Sequence, residues 1–299
     1  MRTTFSTRNQ LLARGVPAAQ LRPGGAYQRI TRDVFVDPHV KVTFELRVDA
    51  FLHRAPTRAV VSRHTAATLL DAIVPHSGTV HFNVPAGSRW RPAGTTIHRR
   101  QDTPWVLHNH RPVTPADCTF MELAEDLELV DLVILGDSLV RRKHVSCEGL
   151  VAAAAAGSGR HAIRARAAAG LVRARVESAK ETRTRLLLVF AGLPEPECNY
   201  RILDEHGREK WRLDLAYPAL KVAIEYDGDH HFDSAEQRQK DRLRREWLMA
   251  HGWQVITIVA TDLWRRPGQV LDRVVQALAA AGSKARVCRL AWQEHFPVR

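Results

Sequence analysis

Two segments, Lys210–Ala216 and Leu220–Asp227, restrict the fold of this chain most, because apolar and charged residues alternate along both. Alternation with period two is a strand signature, since successive side chains leave a strand on opposite faces. Leu213 and Leu215 fall on one face, Arg212 and Asp214 on the other; Val222 and Ile224 oppose Glu225 and Asp227 in the same way. The Tyr217-Pro218 break predicts a tight turn, so the two segments read as a hairpin with Asp214 and Glu225 within about one rung of each other. The carboxylates of Asp214, Glu225 and Asp227 then converge at a sheet edge. Their mutual repulsion is unfavourable unless a cation neutralises it, and oxygen ligands of this kind suit a divalent ion.

Gly228-Asp229-His230-His231 follows at once. Glycine permits a turn there, and His230 or His231 can reach back to ligate a metal through water or to protonate a leaving oxygen. A polar helix from about Ser234 to Ala250 carries Arg238, Lys240, Arg242, Arg244 and Arg245, and Arg212 shares the acidic face of the hairpin. These cations read as contacts to a phosphodiester backbone. Acidic residues on an exposed hairpin, or an Asp-Gly turn, are ordinary when met singly. A strand ending Ile-Glu-Tyr-Asp-Gly-Asp-His-His and preceded by Leu-Asp-Leu is harder to read as surface decoration. A helix over Val172–Phe190, strands over Cys198–Leu203 and Trp253–Val259, and a helix over Pro267–Ala281 complete an α-β-β-β-α-β-α order.

From Glu177 to about Val259 the chain resembles the very-short-patch-repair endonuclease branch of the PD-(D/E)XK nuclease superfamily, through ESAKETRTRLLLVFAGLP, RLDLAYPALKVAIEYDGDHHF and KDRLRREWLMAHGWQVITI. The resemblance implies a restriction-endonuclease-like fold and a magnesium- or manganese-dependent endodeoxyribonuclease. It matches Asp214 and Glu225 to the metal-binding acids and puts Asp227 where the superfamily's lysine usually sits. It also aligns His230 or His231 with a repair-enzyme histidine. Glu181, one helical turn after Glu177, is similar to the helix glutamate that often completes such a site.

Ahead of this region, a short helix over Thr7–Arg14 ends at Gly15, Pro17 opens a second one, and Tyr27–Val36 alternates like a hairpin. That order suggests a winged-helix element, or an irregular cap on the next domain. Residues Val48–Ile73 read as helical, with Ala59-Val60-Val61-Ser62 leading into a helix from His64. Strands are expected over Val80–Val84, Thr95–Arg99 and Trp105–His108, and helices return from Thr114. Gln28–Val36 and Pro112–Ala124 resemble segments of the AbiEi-type antitoxins, which join a winged helix to a second domain and repress transcription.

The fold class expected is α/β (α+β): a winged-helix-like element over 1–45, a mixed α/β module over 46–170 and the endonuclease-like domain over 171–299. A formal charge of +12 and a pI near 10.2 attract polyanions, although the same charge also serves solubility. Cys118, Cys147, Cys198 and Cys288 lack any CxxC spacing, so they read as free thiols, mostly buried, and argue against a zinc ribbon and a disulfide framework. No secretory signal or bilayer-length apolar run is visible, which predicts a cytoplasmic protein acting on DNA, with no membrane partner and with a homodimer allowed. The reading from a different class is a DNA-binding regulator or antitoxin whose nuclease fold is only a scaffold.

Overall fold

A computed structural model describes residues 5–227 and 235–297, and the chain divides into two compact units, Met1–Leu123 and Ala124–Arg299. The architecture is α+β, with mixed helices and several sheets.

The first unit begins with β1 (Ser6–Thr7), α1 (Arg8–Ala13), β2 (Gln28–Arg29) and β3 (Val34–Val36). Thr7 and Gln10 form a reciprocal capping box at the start of α1. Gly15, at φ +82°, lets the chain leave the helix as its position predicts. The expected hairpin forms between β2 and β3, and β1 adds to the other side of β3. Leu11, Leu21 and Phe35 close a small core beneath it.

The rest of this unit comprises α2 (Phe44–Leu52), β4 (Val60–Val61), α3 (Arg63–Leu69), β5 (Val80–Pro85), β6 (Thr95–Arg100), β7 (Val106–His108), β8 (Arg111–Val113) and α4 (Ala116–Leu123). The strands form one sheet in the order β6-β5-β4-β8-β7. Val60-Val61, expected within a helical stretch, is its central strand. Two consecutive buried valines carry no periodicity that separates strand from helix, and pairing with β5 and β8 decides the matter.

The second unit opens with α5 (Leu129–Arg141), α6 (Cys147–Ala156), α7 (Arg160–Leu171) and α8 (Ala179–Phe190). There follow β9 (Glu197–Leu203), β10 (Glu209–Tyr217), β11 (Val222–Tyr226), α9 (Ala235–Ala250), β12 (Gln254–Ile258), α10 (Ala260–Arg265), α11 (Pro267–Ala280) and α12 (Trp292–His295). The sheet order is β12-β11-β10-β9, antiparallel except that β11 and β12 run parallel, as a connection through α9 requires. The helix expected from Val172 begins only at Ala179: Ser178 caps it by accepting from the Glu181 N–H at 3.2 Å, and Glu177 therefore precedes the helix.

The helices between residues 124 and 171 pack with the second unit, so the observed division falls after Leu123 rather than near residue 170. The fully buried Arg185 of α8 shows how they are joined. It donates to Asp137 of α5 at 3.3 Å, to the Leu171 carbonyl at 2.8 Å and to Glu195 at 2.9 Å. Burial pushes the Asp137 carboxyl up to about 6, against the opposing pull of Arg185.

Candidate functional site

The hairpin forms with the predicted register. Leu215 pairs with Ile224 and Ala216 with Ala223, so the next rung sets Asp214 of β10 against Glu225 of β11. On the other side of β10, Asn199 lies between the rungs Leu213–Tyr200 and Leu215–Cys198, also level with Asp214. Asn199, Asp214 and Glu225 thus make a polar row across three strands of the sheet.

Asp214 Oδ2 accepts a hydrogen bond from the Tyr226 backbone N–H at 3.0 Å. Burial pushes its carboxyl up to about 6; the Tyr226 bond and Arg244 pull the other way, while the negative charges of Glu181 and Glu225 raise it further. Glu181, in the first turn of α8, is itself buried. Its Oε2 accepts from the Glu177 N–H at 3.0 Å and from Asn199 Nδ2 at 2.7 Å. Glu181 is therefore fixed toward the sheet by the sheet's own Asn199.

Glu225 is not free. The guanidinium of Arg244, on α9, grips both of its carboxylate oxygens, with Nη1 to Oε2 at 2.6 Å and Nη2 to Oε1. Arg244 Nη2 also donates to the Arg212 carbonyl at 2.7 Å. Arg244, expected as a backbone-phosphate contact, is in this arrangement an internal counter-charge. Arg212 is likewise engaged, with Glu177 and with Glu209, and Arg242 lies 3.8 Å from Glu246 one helical turn along. Lys240 and Arg245 are exposed.

Asp227 is exposed and directly follows β11, its N–H donating to the Ile258 carbonyl at 2.8 Å. His230, His231 and the side chain of Arg238 lie outside the described residues. Among the described residues no three His, Cys, Asp or Glu side chains are grouped so as to hold a metal ion. The chemistry of the donor set nonetheless fits a hard divalent cation: Glu181, Asp214 and Glu225 offer oxygen only, and the first and last of them add negative charge around the buried Asp214.

Sequence reasoning missed Asn199, whose φ of +47° inside a strand cannot be read from composition. It also missed Lys180, whose ammonium lies 4.3 Å from the Tyr226 ring centroid, and Lys210, at 4.6 Å from the ring of Trp247. A lysine next to a glutamate in a first helical turn signals nothing until the sheet is in place. The cysteines are free, as expected, but Cys288 is exposed and the other three are only partly covered. No described helix is long and apolar enough to cross a membrane.

Comparison with known proteins supports an endonuclease-like domain in this part of the chain. A family model described as REase_MTES_1575 matches residues 191–278, the stretch that follows α8 and runs into α11. Two Mycobacterium tuberculosis proteins, Rv2248 of strain H37Rv and MT2308 of strain CDC 1551, both described as uncharacterized, are each 31% identical over 225 residues. Each match covers 75% of this chain and 82% of the relative. The chain accordingly belongs to the same family as Rv2248 and MT2308, and its carboxyl-terminal part carries a restriction-endonuclease-like domain.

Proposed function

We propose that the second unit is a nuclease of the very-short-patch-repair kind, hydrolysing DNA phosphodiester bonds with magnesium or manganese. Asp214 and Glu225 hold the ion, Glu181 completes the acidic set, and Asp227 with His230 or His231 serves proton transfer. The observation that carries this reading is that Glu181, from a helix, and Glu225, from the neighbouring strand, both act on the buried Asp214, whose carboxyl is pushed up to about 6 by burial first and by these two negative charges in addition. Such a cluster is unfavourable without a cation and is what a cation-assisted phosphoryl site requires. The cation would lower the pKa of an attacking water and neutralise charge on the phosphoryl oxygens. The protein's own groups orient the carboxylates: Tyr226 N–H holds Asp214, while Asn199 holds Glu181. Lys240 and Arg245 supply exposed positive charge for the backbone.

Incubating the protein and its Asp214→Ala variant with plasmid and single-stranded DNA, in manganese, magnesium or chelator, tests the reading. Metal-dependent cleavage by the wild type and at least about a hundredfold loss in the variant are expected. Cleavage indifferent to the substitution would sink the catalytic assignment.

A second reading has its own support. The pairing of Glu225 with Arg244 and the exposed Arg8, Arg14, Arg22, Arg29 and Arg32 around the small amino-terminal sheet suit a DNA-binding regulator of the AbiEi antitoxin kind whose nuclease fold is a scaffold. Sequence-specific duplex binding with no metal-dependent cutting would establish it.

A further inference from the structure

We infer that Arg244 is a displaceable stand-in for the cation, and that its transfer from Glu225 to a phosphate couples metal uptake to nucleic-acid binding; this rests on the nuclease reading above. Three observations carry it. First, the guanidinium engages both oxygens of Glu225, so the positive charge sits on a carboxylate that a cation shared with Asp214 would have to approach. Two cations cannot occupy that place together without strong repulsion. Second, the same guanidinium donates to the Arg212 carbonyl of β10 while it holds Glu225 of β11, so its charge bridges the two strands that carry Asp214 and Glu225. It compensates the acidic set in the absence of an ion, which is the task the ion would take over.

Third, Arg244 reaches Glu225 from a polar helix, near whose surface Lys240 and Arg245 are exposed. The long aliphatic stem lets the guanidinium turn away without moving the helix. A DNA phosphate offers the same two-oxygen acceptor geometry as the carboxylate it would leave. With only a cation present, Arg244 would leave its carboxylate with no anion to take its place. With only DNA present, Glu225 would be left bare beside Asp214. The two ligands together leave both Glu225 and Arg244 with a partner, so each raises the affinity for the other, by the same factor.

The coupling is measurable without turnover, by electron paramagnetic resonance of Mn²⁺ binding with and without a phosphorothioate DNA duplex that resists hydrolysis. The wild type is expected to bind Mn²⁺ about tenfold more tightly when the duplex is present. Arg244→Met should bind Mn²⁺ more tightly than the wild type in the absence of DNA and show little further gain with it. Arg244→Lys keeps the charge but not the two-pronged grip, so it should fall between the two and serves where the methionine variant does not fold. Glu225→Gln should lose Mn²⁺ binding in both conditions. Unchanged Mn²⁺ affinity in the Arg244 variants, or a full duplex-induced gain retained in them, overturns the coupling. If cleavage still depends on Asp214 in that case, the nuclease reading survives. If the wild type binds no Mn²⁺ with or without the duplex, the coupling and the nuclease reading both fall.

Discussion

Asn199 ties two parts of the acidic set together at a single residue. Its side chain donates to Glu181 and to the Arg175 carbonyl, and its backbone holds a left-handed conformation beside Asp214. Replacing it with alanine removes a hydrogen bond to a buried carboxylate and puts a Cβ-bearing residue without a local polar partner at positive φ. The expected loss is about 2–3 kcal/mol of stability, read from a denaturant midpoint. Because Glu181 would also lose its orientation, cleavage by Asn199→Ala should fall more than its folded fraction does. Equal falls in the two would confine Asn199 to folding. Asp214 and Glu225 are legible as a facing pair from alternation alone. Their electrostatic fate is not, because the Arg244 partner of Glu225 comes from the next helix, 19 residues further along.

The decisive element is α8. It carries Glu181 into the site from one face while Arg185, Thr182 and Thr184 are buried among neighbouring groups. Its start is set by Ser178, so Ser178→Ala is expected to cost about 1 kcal/mol and to fray the turn that holds Glu181; thermal melting measures the first and amide exchange at Glu181 the second.

Its union with α5 depends on pH. Asp137, pushed up to about 6 in the folded protein from the usual 3.8, binds more protons folded than unfolded between those values. Its contribution is therefore fully present below about pH 4 and declines as pH rises through about 6. The stability of the wild type relative to Asp137→Asn should fall over that window, by on the order of 3 kcal/mol, in parallel denaturant titrations. A difference that stays flat from pH 4 to 6 would show that Asp137 ionises in the fold as it does in the unfolded chain. None of this network could be read from the sequence, since Asp137, Arg185 and Glu195 are isolated charges in three separate segments.

For the molecule as a whole, the charge of +12 makes polyanion binding a salt-sensitive property. The logarithm of DNA affinity is expected to fall linearly with the logarithm of salt concentration, and Lys240→Ala combined with Arg245→Ala should flatten the slope by roughly one unit for each phosphate that is no longer neutralised. Fluorescence anisotropy across a salt series measures this, and an unchanged slope would remove α9 from the interface. The two units divide after Leu123, and the helices of residues 124–171 are part of the same body as the endonuclease-like sheet. Nothing local marks that boundary: α4 and α5 are both amphipathic and are separated by a short connection.

The sequence by itself determined the α-β-β-β-α-β order, the two faces of the hairpin and the opposition of Asp214 and Glu225, because strand and helix periodicities are properties of near neighbours. Tertiary structure decided that Val60-Val61 is a central strand, that Asn199 anchors Glu181, that Arg185 binds α8 to α5, and that Arg244 neutralises Glu225. Each of these is a pairing between residues distant in the chain. Hydrogen bonding and charge select such partners only after the elements that carry them have packed.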